Sequence, residues 1–364
     1  MVELPPVEPV VHEDRLHRLC CPRRNATTRG LLPAGVPNSA FGPRSHAALG
    51  VLTGAYRLSR RQVSRLCSDL LGLTISPGMI AKLERITADV LERPVAELAE
   101  AVKTAEAANI DETGRREYHL KAWLWVVVTS VGVVFRIVRS WAGAVARDLL
   151  GEEPKPIVIS DRFPGSEWIN LKSGQICWAH LRRDMQAMID RDGDGAGVGR
   201  QLLWQSSKLF ESWHKARDGT IQRSTFLQTV AWLRPMVRSS LERGSRCACD
   251  KTAATCGELL RPWDAFGPSR GSMGSSRRTT RPSEPRGAVI WRRISAGADS
   301  EAGSRFVERM LSVVATCRQR GVPVLQYLGE RHEARLNDQP IPSILAGPPP
   351  RRPRPPDRPE SPAR

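Results

Sequence analysis

The sequence predicts an α/β fold: a mixed β-sheet flanked by helices, preceded by a small all-α region. Three observations predict it. Between Ala108 and Ser160, short β-branched segments alternate with Gly, Pro or polar turns and with one helical stretch. On both sides of that block, apolar residues recur at three- and four-residue steps, the period of helices with one buried face. The 364 residues are 40% hydrophobic and include 10 Trp, enough to build the cores of two or three domains, which excludes a wholly disordered chain.

Residues 1–45 are rich in Pro, Arg and small side chains and have little periodicity, so an irregular N-terminal arm is expected. A helical region follows over 46–105. In it Val63, Leu66, Leu70 and Leu71 form a stripe behind Ser59 as N-cap, Gly72 stops the helix, and Ser76-Pro77 starts the next, whose apolar face is Ile80, Leu83, Ile86 and Val90. Strands are expected at 109–113, 121–129, 133–140 and 156–160, with a helix over 142–150 before the last of them and a further strand within 175–180. Three strands, a crossover helix and another strand argue for a mixed sheet. A helical insertion spans about 182–262. Residues 267–286 contain five Arg and one sizeable apolar side chain, Met273, and cannot bury themselves. Helical periodicity returns over 300–319, and 326–364 reads as a Pro/Arg-rich tail.

The charge narrows the function. With 55 Lys+Arg against 38 Asp+Glu, the formal net charge is +17. An anionic partner is favoured, and a structural protein with no nucleic-acid role is disfavoured. The start MVELPPVEPVVHEDR lacks the basic and apolar regions of a signal peptide, and the most apolar stretch, 122–134, is interrupted by Thr129, Ser130 and Gly132, so a cytoplasmic protein without a membrane partner is expected. Eight cysteines show no disulfide framework.

Asp111 and Asp161 each fall at the end of an expected strand. Carboxylates held there on rigid strands can bind Mg²⁺, which takes hard oxygen ligands, and paired ions promote phosphodiester displacement. An aspartate at a strand end serves equally as a turn or cap residue. The helix pair carries Arg57, Arg60, Arg61, Arg65 and Lys82 around its apolar stripe, consistent with a DNA-binding helix-turn-helix or with an ordinary solvated hairpin. His12, His17, Cys20 and Cys21 cluster near the start, but adjacent cysteines poorly chelate one Zn²⁺. Cys247, Cys249 and Cys256 have no nearby His, and the EF-hand-like Asp190–Gly195 run has Gln201 at its twelfth position, so neither is expected to hold metal.

Several motifs in one order carry a resemblance. Tyr56-Arg57-Leu58-Ser59-Arg60-Arg61, Asn109-Ile110-Asp111-Glu112-Thr113, Ser160-Asp161-Arg162-Phe163, Cys177-Trp178-Ala179-His180-Leu181-Arg182-Arg183, and Ala288-Val289-Ile290-Trp291-Arg292 through Ser300-Glu301-Ala302-Gly303 resemble the insertion sequence 66 family of bacterial transposases over roughly residues 12–340. The resemblance implies an RNase H-like catalytic domain, here 106–325, with a D-D-E triad that works with Mg²⁺ or Mn²⁺ on double-stranded DNA, both the inverted repeats of the element and its target. A homo-oligomer and helper proteins are further possible partners it implies. Asp111 and Asp161 match the two aspartates; Arg183 and His180 fall in a block expected either to support the site or touch phosphate, or, for His180, to be a core histidine at the end of a strand. Relatives often carry C-P-x-C near the N-terminus, where Cys21-Pro22-Arg23-Arg24 lacks the second cysteine; His17, Cys20 and Cys21 are what remains of a zinc-ribbon-like segment, and Zn²⁺ is not expected there.

The third carboxylate breaks the pattern. The family's T-N-N-x-x-E-R segment should precede Ala288, where this chain has Arg277-Arg278-Thr279-Thr280-Arg281-Pro282-Ser283-Glu284-Pro285. One choice among the synonymous codons for these residues, CGA-CGA-ACA-ACG-CGG-CCG-AGC-GAG-CC, read one nucleotide earlier, encodes Pro-Thr-Asn-Asn-Ala-Ala-Glu-Arg-Ala, so a shifted reading frame is the expected explanation. The missing glutamate then falls at Ser283. Its neighbour Glu284 is a poor substitute, because one helical step rotates a side chain by about 100° and Pro282 and Pro285 disfavour a helix. This copy is therefore expected to be a transposase impaired in strand cleavage, or a remnant that only binds DNA.

Overall fold

The computed structural model describes residues 2–3, 7–33, 36, 39–118, 120–140, 142–160, 174–261 and 300–346, with only the backbone at 115 and 174–176. Asp161, Glu284 and the 267–286 segment lie outside the described residues. The chain divides into two compact units, residues 1–102, 112–141 and 283–364 in the first and 103–111 and 142–282 in the second. The architecture is mixed α/β, as the periodicities predict.

In the first unit, β1 (Arg18–Cys20) pairs antiparallel with β2 (Thr27–Arg29), a hairpin inside the arm expected to be irregular. Helix α1 (Pro43–Gly50) widens into a π turn over Val51–Ala55. Helix α2 (Arg60–Leu71) begins as its sequence dictates: the Ser59 hydroxyl accepts from Gln62 N while the Gln62 side chain accepts from Ser59 N, and Gly72 closes the helix at φ 61°. Helix α3 (Pro77–Val102) starts where Ser76-Pro77 predicts, with Ser76 Oγ accepting from Met79 N, but runs beyond Val90, since no stop signal follows and Pro94 is accommodated within it. Leu49, Val63, Cys67, Ile75, Ile80 and Leu83 form the core under these helices.

Five strands hydrogen-bond in the order β5-β4-β3-β6-β7. Strand β3 (Ala107–Glu117) continues six residues past Asp111, so Asp111 lies within the strand rather than at its end. The reason is tertiary: β3 has a second neighbour, β4 (Leu120–Thr129), which in turn pairs antiparallel with β5 (Val133–Val138). At the β4–β5 turn a Cβ on Gly132 would sit 2.7 Å from Leu98 and 2.9 Å from Thr316, so only glycine fits.

The outer edge of β5 is covered by a helix, α9 (Glu301–Arg320). Glu308, Ser312 and Thr316 accept hydrogen bonds from Ile137 N, Phe135 N and Val133 N at 2.9, 2.8 and 3.0 Å. Arg305 and Gln319 donate to the carbonyls of Ile137 and Thr129. Four residues of helix rise about 6 Å and two residues of strand about 6.6 Å, so an i, i+4 polar row can follow every second strand residue. Side chains thus replace a neighbouring strand. Burial, opposed by the Ile137 amide and the Arg305, Arg136 and Arg309 charges, leaves the Glu308 carboxyl above its ordinary value.

Helix α10 (Val324–Leu336) occupies the start of the stretch expected to be tail, because Tyr327, Leu328, Arg331 and His332 are buried and bind it to the unit. His332 and His46 are both buried with ring centroids 4.9 Å apart, and His332 Nε2 lies 3.2 Å from Thr87 Oγ1, whose hydroxyl donates to Leu83 O. Burial, with the neighbouring His46 and Arg335 charges, depresses His332 to about 3, and burial also lowers His46. The unfolded imidazoles, near 6.5, therefore bind protons that the folded ones reject. This contribution to stability is complete above pH 6.5 and is lost as pH falls towards 3, at about 1.4 kcal/mol per pH unit for His332. Urea unfolding at pH 7 and pH 5 should show this loss, and His332→Asn should remove much of it; a His332→Asn variant with undiminished acid sensitivity would refute the assignment.

In the second unit, α4 (Gly143–Leu150) leads to β6 (Ile157–Ser160), which runs parallel to β3 and to β7 (Gly174–Ile176). The strand expected over 175–180 ends at Ile176, because its pairing with Ser160 ends there and α5 (Trp178–Asp190) begins. Helices α6 (Asp194–Arg217), α7 (Arg223–Gly244) and α8 (Asp250–Leu260) follow, packed around Met185, Met188, Leu202, Leu241 and Cys256. The Asp190–Gly195 run is the break between α5 and α6, and all eight cysteines are free thiols.

Candidate functional site

Asp111 is half-buried on β3, two residues beyond Asn109, the last residue of that strand paired with β6. Asn109 lies opposite Ile159, and Ser160 ends β6. The same rim receives the start of α5: Cys177 N donates to Ser160 O at 2.8 Å, Cys177 is the N-cap, and His180 lies in the first turn. His180 is near enough to Asp111 to feel its charge.

Burial is the largest influence on the Cys177 thiol and pushes it up, but the His180 ring and the backbone amides of His180 and Ala179 outweigh it and hold the thiol below its ordinary value. The same Cys177 contact raises His180, against burial and Arg183, with a smaller contribution from Asp111. Arg183 Nη2 lies 3.2 Å from His180 Nε2, so that nitrogen is the acceptor of the pair. His180 Nδ1 is buried and has no partner within hydrogen-bond geometry among the described residues, so we read the thiol and ring as closely apposed rather than joined by a formed bond. Spacing hides the pairing of Cys177 with His180; the signal that could have exposed it is a C-x-x-H run across a helix start.

The basic residues of the helix pair divide. Arg61 and Arg65 on α2 and Lys82 on α3 are exposed. Arg60 is bound to Glu84 at 2.7 Å, a carboxylate only 10% exposed on the apolar face of α3. Arg57 is half-buried at φ 64°, and burial, then the Arg318 charge, depresses it. An acid among Ile80, Leu83 and Thr87 was the available sign that one arginine would be engaged internally.

At the N-terminus, Cys20 and Cys21 are exposed in the β1–β2 hairpin, and Cys20 Sγ donates to Asn25 Oδ1 at 3.6 Å. His17 contributes its carbonyl to Gly30 N. Among the described residues no group of three His, Cys, Asp or Glu side chains is placed to hold a metal ion.

The family model described as Transposase IS66 family matches residues 38–252. That is 252 − 38 + 1 = 215 of 364 residues, more than half the chain. The chain belongs to the IS66 transposase family. Curated proteins gave no match. Membership makes DNA the partner class and transposition the functional class, and DDE transposases generally use divalent metal ions. The match contains α2, α3, Asp111, Asp161 and the Cys177–Arg183 block, and stops within α8, ahead of residues 277–285. No described helix of this IS66 family member is long and apolar enough to cross a membrane.

Proposed function

We propose that this IS66 family chain is an insertion-sequence transposase of RNase H-like fold in which Asp111 and Asp161 hold divalent metal, the α2–α3 pair binds DNA as a helix-turn-helix, and strand cleavage is impaired. One observation supports the aspartate pair. Every β3–β6 partner differs by 50 residues, 107 with 157, 108 with 158 and 109 with 159, and 161 − 111 is also 50. The spacing of the two aspartates thus equals the β3–β6 register, which favours their serving one metal site. Asp111, half-buried and of hard-oxygen chemistry, suits Mg²⁺ or Mn²⁺. Bound metal supplies Lewis-acid stabilisation of the phosphodiester oxygens. Asp111 would orient it, while Arg183 would offer a cation to phosphate. Glu284, between Pro282 and Ser283 on one side and Pro285 on the other, is a poor third ligand.

Arg61, Arg65 and Lys82 are the exposed phosphate contacts in this reading, with Arg60 committed to Glu84. A nicking assay on the element's end in Mg²⁺ or Mn²⁺, at low and moderate salt, tests it. Binding that weakens steeply with salt and little or no cleavage are expected, with the salt slope falling by roughly one for each of Arg61→Ala and Arg65→Ala. Robust cleavage abolished by Asp111→Ala would refute the impairment; salt-insensitive binding, or none, would refute the DNA-binding reading. Codons across 264–288 incompatible with the shifted frame would end the frameshift account.

A further inference from the structure

The α6–α7 hairpin carries two tryptophans that its own core does not cover. Trp204 is 45% and Trp232 53% exposed, and their rings meet edge to face with centroids 6.3 Å apart. Indoles left half in water on two facing helices form a rigid π surface, since each ring limits the other's rotation. The surrounding charge identifies what could cover it. Residues 194–244 contain eight Lys or Arg and four Asp or Glu, 8 − 4 = +4. Two of the four acids are already matched: Glu211 lies between Lys208 and Lys215, and Glu242 pairs with Arg238. Arg200 and Lys208, both exposed, stand one turn before and after Trp204. Arg243, from α7, reaches Gln201 beside it.

We propose that the Trp204–Trp232 pair is a stacking platform for unpaired bases of single-stranded DNA. The proposal rests on DNA being the partner of this chain and adds a site and a substrate form to that reading. An unstacked base offers an aromatic face, and its phosphates meet the exposed cations that flank Trp204, Arg200 and Lys208. A second copy of this chain fits the patch less well, because a twofold contact would bring its surplus of positive charge against itself.

The experiment compares the full chain with Trp204→Ala/Trp232→Ala and Trp204→Phe/Trp232→Phe double variants, each titrated with labelled oligothymidylate and with element-end duplex. Alanine should weaken oligothymidylate binding by at least about tenfold and leave duplex binding unchanged, with a circular dichroism spectrum and urea transition equal to those of the unsubstituted chain showing that α6 and α7 are folded. Phenylalanine should restore most of the loss. Unaltered oligothymidylate binding by the alanine variant overturns the platform, as does an unsubstituted chain that binds duplex alone. So does a dimer that the alanine substitutions dissociate without affecting oligothymidylate. An unsubstituted chain that binds neither DNA defeats the DNA-binding reading itself.

Discussion

Substituting valine for both Ser312 and Thr316 should destabilise the first unit by about 2–6 kcal/mol, because two buried β5 amides lose their acceptors and each unsatisfied group costs about 1–3 kcal/mol. Phe135 N and Val133 N point away from β4, and among the described residues they find those acceptors on α9 at 2.8 and 3.0 Å. Both hydroxyl residues are fully buried, so water cannot replace them without opening the helix from the sheet edge. Total stabilities of folded domains are about 5–15 kcal/mol, so the double variant should lose a large share of that stability. Urea denaturation of the full chain and of both single variants measures it, and a combined loss under about 1 kcal/mol would show that α9 does not complete the sheet. Glu308→Leu should be at least as costly as either single change, since it removes the acceptor of Ile137 N and also leaves the half-buried Arg305 without its 2.9 Å partner.

The second large effect is expected at Arg331. This buried guanidinium donates to Pro342 O, Ser343 O and Tyr327 O and lies 3.5 Å above the Tyr327 ring. Its bond to Glu330 adds little, because that carboxylate is half exposed. Arg331 therefore fastens residues 342–343 onto α10, with Ile344 buried next to them and Arg320 reaching Leu345 O. Arg331→Met keeps much of the stem's apolar contact but strands the carbonyls of Pro342 and Ser343, while Tyr327 O keeps its helical donor, and a loss of about 3–5 kcal/mol is expected. Limited proteolysis should then cut near 340–346 in the variant and spare those bonds in the natural chain. Equal cleavage of the two would refute the clasp.

Both predictions concern features that local sequence did not disclose. Ser59, Gln62 and Gly72 specify the ends of α2, and Ser76-Pro77 the start of α3, since capping chemistry acts within a few residues. Strand β6 and the α5–α8 helices follow from period and turn residues in the same way. The length of β3 and the helix in the presumed tail did not, because each depends on a neighbour distant in sequence: β4 extends the strand, and buried Arg331 and His332 retain the helix. At the site, Asp111 and His180 were visible as residues, while their proximity was not. Arg60 reads as one more surface cation until Glu84 is found beneath it.

The sequence by itself determined the class of molecule, the order of its elements and the identity of the residues that carry the family's motifs, because backbone period, capping and motif spacing are local. Only the tertiary structure decided which polar groups complete the edge of β5, which arginines are engaged internally and which stay exposed, and that two indoles lie together on α6 and α7. Those outcomes are set by burial and by hydrogen-bond satisfaction between segments far apart in the chain, and a buried amide or carboxylate selects its partner by position in space.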